Sequence, residues 1–251
     1  MRIIKQLFYL LYKLYFIIVF TVLFALLYPF FKLGFYVIKN NQYTYFLHRL
    51  WSFTLHLLTF IFLKKTNYNK NLPKEPFIII ANHTSFLDVF LMFKMFPKNP
   101  FIFMAKAELA SIPLFGMLFR HFHIPVHRKN IRKAAEAVVK GKKTLSDGMC
   151  LAIFPEGGII DGYAPKVAPF KNGAFELAIS ENVGILPVTF TKNFRIIGDT
   201  GKLLSVARPG IAEAVIHEYI GKDEVQKMTV LELKQKCFET IEKPLKEKYG
   251  F

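Results

Sequence analysis

The sequence predicts an α/β fold, a mixed and largely buried sheet flanked by helices, with an N-terminal membrane-embedded arm of two helices. Three observations predict it. Short apolar runs alternate with helical patterns beyond residue 76, as in proteins that stack helices on a sheet. The stretch "LYFIIVFTVLFALLYPFF" runs for 18 residues between Lys13 and Lys32 without a charge, which is nearly enough to cross a bilayer. Hydrophobic residues make up 53% of the chain.

Charge separates the N-terminal part from the rest. Residues 1–74 contain ten Lys or Arg and no Asp or Glu, within a chain of net charge +16. Basic residues interleaved with long Leu, Phe and Ile stretches favour an anionic lipid surface over nucleic acid. We therefore expect a lipid bilayer as a partner and no nucleic acid.

Residues 1–66 are predicted to form the membrane-anchoring arm. A longer helical segment through about residue 39 is interrupted by Pro29 and Gly34, and a second apolar segment over 50–63 is too short to span a bilayer. This pattern predicts a helical hairpin that dips into one leaflet, although a single crossing by the first helix stays open. The apolar run lacks an A-x-A-like cleavage site, so we expect the mature protein to retain it.

A polar, proline-punctuated linker is predicted at 67–76, followed by an α/β domain over 77–251. Apolar runs predict the strands, and 3.6-residue periodicity predicts the helices. The expected strands are 77–81, 101–105, 123–126, 150–154, 184–190 and 211–217, and the expected helices are 85–96, 108–121, 130–147, 173–181 and 227–248.

The stretch "IIIANHTSFLD" places a histidine where a buried strand meets a helix. Ligand crevices of open α/β sheets lie at such carboxyl ends, and a helix N-terminus favours the neutral imidazole. Asp88, five residues after His83, lies close enough to hydrogen-bond one ring nitrogen while the other faces the crevice. The alternative is a helix-capping His followed by an Asp that only complements the helix dipole.

No nucleophile accompanies this pair, because no G-x-S-x-G occurs and no Cys is near a His in the sequence. A His–Asp dyad without its own serine suits a reaction in which the substrate supplies the hydroxyl. Direct acyl transfer to an alcohol is such a reaction.

A second informative stretch is "LAIFPEGGIIDG", a strand followed by Pro155, Glu156 and two glycines. Gly157 and Gly158 let backbone amides approach a ligand closely, as anion-binding turns require. Glu156 could hold a substrate hydroxyl. The alternative is a tight turn with an exposed acid.

Taken together, these motifs resemble the glycerolipid acyltransferase family that contains the bacterial 1-acyl-sn-glycerol-3-phosphate acyltransferases. The family's N-H-x-x-x-x-D block resembles Asn82, His83 and Asp88, and its F-P-E-G block resembles "FPEGG". Roughly residues 75–190 carry the resemblance, in the family's order. Its further segments are similar to "MAKAEL" with Lys106, "IPVHR" ending at Arg128, "FKNGAFELA" with Lys171, and "ILPVTF".

The resemblance implies an acyltransferase with His83 as general base and Asp88 orienting it. It also implies that Glu156 and the two glycines help to bind a lysophospholipid acceptor, and that Lys106 and Arg128 face its phosphate. The acyl donor would be acyl-CoA or acyl carrier protein, with no metal and no further cofactor. The catalytic domain would lie on the cytoplasmic face of the inner or plasma membrane.

One departure concerns the acceptor. Where the family usually continues Thr-Arg or Thr-Ser, this chain has Gly158 and Ile159, and isoleucine cannot replace a bidentate arginine grip on phosphate. Either Lys106, Arg128 and Lys171 bind the phosphate, or the acceptor is a lyso-aminolipid. A non-catalytic membrane lipid-binding protein is a further alternative.

The helix predicted over 130–147 carries more basic than acidic residues. It is either a solvated face or a docking surface for an acidic acyl carrier protein, which charge complementarity would favour.

Overall fold

The computed structural model describes residues 2–69, 71–128, 130–198 and 204–251. Its strands are Ile61–Asn67 (β1), Ile78–Ala81 (β2), Phe101–Lys106 (β3), Ile124–Val126 (β4), Cys150–Ile153 (β5), Ile185–Phe190 (β6) and Gly210–Ile216 (β7). Within the described part of the chain they form one sheet in the order β1-β7-β6-β2-β5-β3-β4. Only the pairing of β6 with β7 is antiparallel there, so the sheet is mixed, as predicted.

Helices cover both faces of this sheet. They are Arg2–Leu33 (α1), Asn41–Leu58 (α2), Leu87–Met95 (α3), Gly116–His121 (α4), Ile131–Ser146 (α5), Gly173–Ser180 (α6), Lys222–Val225 (α7) and Val230–Tyr249 (α8). The predicted fold class is confirmed. One predicted helix, 108–121, is wrong in its middle, because a 3₁₀ helix at Ala107–Ser111 and a loop precede α4.

The topology places the two helical layers. The chain moves from β2 to β3 to β4 in one direction across the sheet and returns through β5 to β6 in the other. Because crossovers between parallel strands are right-handed, α3 and α4 cover one face and α5 and α6 cover the opposite face. The carboxyl ends of β2, β3, β5 and β6 therefore share one edge of the sheet.

The two N-terminal helices pack on the α3 side. Pro29 does not interrupt α1, which runs on to a π-helical turn at Gly34–Ile38. A Cβ on Gly34 would lie 3.0 Å from the Tyr43 ring, so glycine permits the close approach of α2. The helical stretch Ile3–Ile38 is long and apolar enough to cross a membrane.

The helix predicted over 50–63 is wrong after Leu58. From Ile61 the chain is strand β1, paired in parallel with β7. Ile61 is fully buried, but Phe62 and residues 64–67 are exposed, as expected of a strand at the edge of the sheet. The sheet thus begins within the residues that we assigned to the arm.

The polar stretch 67–76, whose residue 70 lies outside the described residues, connects β1 to β2. Asn69 fixes it, since its side chain donates to the carbonyl oxygen of His217 (2.6 Å) and accepts from the amide of Tyr219 (2.9 Å). This stretch joins two strands of the same sheet. The division into an arm at 1–66, a linker and a catalytic domain stays a prediction.

Candidate active site

The His83 corner, residues 82–88, lies at the carboxyl end of β2. All four residues of β2 are buried, as expected for a central strand. The Asn82 side chain accepts from the amide of Phe190 (2.7 Å) and donates to its carbonyl oxygen (3.0 Å). Asn82 thereby ties the end of β2 to the end of β6 and fixes the start of the corner.

His83 and Asp88 form the predicted hydrogen bond, with 3.0 Å between Nδ1 and Oδ2. A carboxylate only accepts, so Nδ1 carries the proton and the lone pair of Nε2 is left to accept another. The side chain of His83 is 14% exposed and that of Asp88 is fully buried. The pair therefore has the geometry of an oriented general base, and its catalytic role stays a prediction.

Three further donors hold Asp88. The amides of Thr84 (2.8 Å) and Ser85 (2.9 Å) donate to Oδ2, and the side-chain amide of Asn193 donates to Oδ1 (2.6 Å). These bonds orient both carboxylate oxygens. They also fix the turn that leads into α3, because Thr84 and Ser85 precede that helix.

Phe154 fixes the plane of the imidazole. Its ring stacks on the His83 ring with 4.0 Å between centroids and 13° between planes. The "FPEGG" stretch thus forms the other side of the site. It follows β5, whose carboxyl end lies at the same edge of the sheet as that of β2.

Glu156 bridges the two loops. Its Oε1 accepts from the amide of His83 (2.6 Å) and its Oε2 from the amide of Ala168 (2.8 Å). Burial raises the pKa of Glu156 to about 7, against the opposing effect of these two hydrogen bonds. Glu156 supports the backbone of the candidate base, while its predicted contact with an acceptor hydroxyl remains untested.

Three exposed cations surround the glycine turn, residues 154–159. A Cβ built on Gly157 would lie 2.9 Å from Lys171 Nζ and 3.3 Å from Arg128 Nη1. One built on Gly158 would lie 3.1 Å from Lys106 Nζ. Both glycines have positive φ, +88° and +148°, so side chains there would be strained as well as crowded.

The structure thus brings together every site residue that the sequence singled out. His83 and Asp88 lie on the β2 corner, Glu156 joins that corner to the glycine turn, and the three cations cluster at that turn. Asn193 was missed. It follows β6, and only the adjacency of β6 and β2 brings it to Asp88, which a single sequence does not reveal.

A buried carboxylate orients a histidine at the carboxyl edge of an α/β sheet, beside a group of cations. These features define an α/β domain whose site has the geometry of an oriented base next to positive charge. Comparison with known proteins specifies the family. The family model described as "Acyltransferase" matches residues 44–191, and the chain belongs to this family. The resemblance inferred from the motifs is confirmed.

Named relatives agree with this assignment. The chain is 35% identical over 144 residues to a probable 1-acyl-sn-glycerol-3-phosphate acyltransferase of Mycoplasma genitalium, covering 56% of this chain and 51% of the relative. It is 36% identical over 138 residues to a 1-acyl-sn-glycerol-3-phosphate acyltransferase of Borreliella burgdorferi, covering 51% of this chain and 52% of the relative. The chain spans about half the length of these curated relatives.

A solved structure shares the whole architecture. The crystal structure of the 1-acyl-sn-glycerophosphate (LPA) acyltransferase from Thermotoga maritima superimposes with a TM-score of 0.74. The superposition covers 99% of this chain and 98% of that one, at 22% sequence identity. At that identity the likeness establishes the fold.

Proposed function

We propose that this protein is a membrane-bound O-acyltransferase. It transfers a fatty acyl group from acyl carrier protein or acyl-CoA to the free hydroxyl of 1-acyl-sn-glycerol-3-phosphate, giving phosphatidic acid. The observation that carries the proposal is the hydrogen bond of His83 to the buried Asp88, beside three cations. The curated names of its relatives support the same reaction.

In this mechanism, His83 Nε2 accepts the proton of the acceptor hydroxyl while that oxygen attacks the carbonyl carbon of the thioester. The C–S bond then breaks, and the imidazolium returns the proton to the departing thiolate. Ester and free thiol are the products. Asp88 stabilises the imidazolium between these steps, and stacking on Phe154 keeps the ring in place.

The glycine turn supports a phosphate-bearing acceptor. Lys106, Arg128 and Lys171 lie close to the backbone of Gly157 and Gly158, so three positive charges converge where a phosphate would meet backbone amides. These three charges compensate for the lack of a charged side chain at position 159, which is Ile159 in this chain. That same isoleucine favours the second candidate, acylation of a lyso-aminolipid of the ornithine- or glycine-lipid type.

The donor surface is proposed on α5. This helix exposes Ile131 and Val139 together with basic side chains such as Arg132 and Lys140. It begins three residues after Arg128, on the face of the sheet opposite to α3. An apolar strip among positive charges suits an acidic acyl carrier protein. Reversing Arg132, Lys140 and Lys143 to Glu should lower kcat/KM for the carrier-bound donor at low salt, and an unchanged value would refute this surface.

The bilayer is proposed to hold the N-terminal helices, with the catalytic domain on the cytoplasmic face of the inner or plasma membrane. The long apolar stretch Ile3–Ile38 and the absence of acidic residues before Glu75 support this membrane association. The two-helix arrangement is compatible with a hairpin in one leaflet.

An acceptor competition tests the function. Lysophosphatidate and a lyso-aminolipid are offered together in vesicles with acyl-CoA or acyl carrier protein, free thiol is measured, and products are identified by mass. We expect thiol release with phosphatidic acid as the main product. An acylated aminolipid as the main product would establish the second candidate. Lipid binding without thiol release would indicate a non-catalytic lipid-binding protein.

A further inference from the structure

The loop 112–114 displays three consecutive apolar side chains to solvent. Ile112 is 41% exposed, Leu114 is 62% exposed, and Pro113 between them is exposed as well. Single exposed apolar residues are ordinary on protein surfaces, but a run of three calls for a functional reason.

This loop is fixed in place. The amide of Gly116 donates to the carbonyl oxygen of Ile112 (2.8 Å), and the amide of Met117 donates to that of Leu114 (3.1 Å). The Arg120 guanidinium donates to the carbonyl oxygen of Ala110, and a Cβ on Gly116 would overlap that oxygen. Exposure of the apolar side chains is therefore a property of a defined conformation.

Leu114 adopts a strained backbone within it. Its φ is +61°, a left-handed conformation that costs free energy in any residue with a branched, bulky side chain. Burial of the Leu114 side chain does not offset this strain, because that side chain is 62% exposed. A contact outside the chain would account for both.

The loop lies against the apolar helix α1. The next residue, Phe115, has its ring centroid 6.0 Å from that of Phe20 and 5.7 Å from that of Phe24, both on α1. Phe20 also contacts Phe86, three residues after His83 (5.6 Å). The loop, the apolar stretch of α1 and the His83 corner thus lie on one side of the molecule.

We propose that the loop 112–114 is a second contact with the lipid bilayer, beside α1, and that it holds the site at the lipid surface. The proposal rests on the membrane association proposed above. The contact of Phe115 with α1, a helix with many exposed apolar side chains, favours lipid, as does the size of the patch. Three side chains offer far less area than the about 800 Å² that each partner buries in a stable protein interface.

The direct test uses a fluorescent probe on Leu114→Cys in the full chain. Leu231→Cys is the matched control, because Leu231 is 64% exposed on α8, a helix that packs against β6 and α6. Both native cysteines, Cys150 and Cys237, are buried, so an environment-sensitive maleimide reacts at the introduced thiol. Vesicles of phosphatidylglycerol and phosphatidylcholine are added, with and without brominated lipid tails, and cosedimentation establishes binding.

We expect a blue shift at position 114 that brominated tails quench, and no change at position 231. Bound protein whose probe at 114 stays in water, or becomes shielded without quenching by bromine, would overturn the loop contact and leave the proposed reaction intact. Failure of the protein to cosediment with the vesicles would refute the proposed membrane association and, with it, the loop contact.

A second variant gives a kinetic readout. Leu114→Asn keeps a residue that tolerates the left-handed backbone while removing the apolar contact. The variant loses one leucine side chain that the proposal places in the lipid, and this loss should raise KM for a vesicle-embedded acceptor about tenfold. Turnover of a short-chain, water-soluble acceptor should be unchanged. An equal effect on both acceptors, or an equal effect of Leu231→Asn, would contradict the proposal.

Discussion

The His83 corner and the glycine turn lie side by side and are built on opposite principles. In the corner, Asp88 is fully buried and accepts four hydrogen bonds, from His83, Thr84, Ser85 and Asn193. At the turn, three exposed cations surround Gly157 and Gly158, which have no side chains. The polar groups of the corner hydrogen-bond to one another and fix its geometry, whereas the turn leaves positive charge available to a ligand.

This difference separates chemistry from recognition. A group whose partners all belong to the protein is positioned before any substrate arrives, which favours the rate of the chemical step. Cations that face solvent remain accessible to an anion when one binds. Changes in the corner should therefore act on kcat, and changes at the turn should act on the KM of the acceptor. Glu156, bonded to His83, links the two regions.

The largest effect is expected from His83→Ala. Loss of the proposed base should lower kcat by about 10²–10⁴-fold, the usual contribution of a positioned proton acceptor, with a smaller change in KM. Steady-state thiol release measures it. Vesicle binding and thermal unfolding of the variant serve as controls for folding. Near-normal turnover by a folded variant would refute the role of His83.

Asn193→Ala should have the next largest effect. It removes the donor to Asp88 Oδ1, so the carboxylate loses part of its orientation. A hydrogen bond to a charged group is worth about 1.5–3 kcal/mol, which corresponds to roughly a ten- to hundredfold loss in kcat. Because Asn193 only positions Asp88, the KM for the acceptor should not change.

Asn193→Asp distinguishes positioning from packing. It keeps the size of the side chain but sets a second carboxylate against Asp88, and like charges at hydrogen-bond distance disfavour ionisation of both. The pH profile of kcat should therefore shift relative to that of the parent and of Asn193→Ala. An unshifted profile together with normal kcat would show that the contact is only structural.

The corner and the turn also differ in how far the sequence predicts them. His83 and Asp88 are five residues apart and share a strand–helix junction, so local pattern offered their hydrogen bond as one of two alternatives. Asn193 is 105 residues from Asp88 in the chain and reaches it only through the neighbouring strand β6. Strand order is a long-range property that apolar periodicity does not encode.

Strand β1 was missed for a related reason. The apolar stretch that leads into it continues directly from α2, and a short apolar run does not distinguish helix from strand. What makes residues 61–67 a strand is the parallel partner β7, nearly 150 residues later in the chain. The strands of the centre were predicted closely because each is a short apolar run bounded by turn residues.

Lys171→Ala tests the turn. Removing one cation should raise KM for lysophosphatidate about tenfold, since a charged hydrogen bond to phosphate is lost, and should leave kcat nearly unchanged. An acceptor without phosphate, such as monoacylglycerol, should be insensitive. Lys227→Ala is the matched control, because Lys227 is an exposed lysine beyond α7. A loss of kcat with unchanged KM would assign Lys171 to the chemistry instead.

The last prediction concerns stability rather than activity, and the residue that joins the two regions. The pKa of Glu156 is about 7 in the folded protein against 4.5 ordinarily, so the folded state holds its proton over a range where the unfolded chain has lost it. The stabilisation is complete below pH 4.5 and is lost as the pH rises to about 7. The loss is at most about 3 kcal/mol.

Buried histidines make the stability depend on pH in the opposite direction. Burial lowers the pKa of His217 to about 4, so its contribution is lost as the pH falls below 6.5. The informative quantity is thus the difference between the parent and Glu156→Gln, whose side chain does not titrate. Urea unfolding at pH 5 and pH 7.5 should show a parent that loses more stability on this rise in pH than the variant does. Parallel pH dependence in both proteins would mean that Glu156 is ionised throughout this range, and that its two amide hydrogen bonds outweigh its burial.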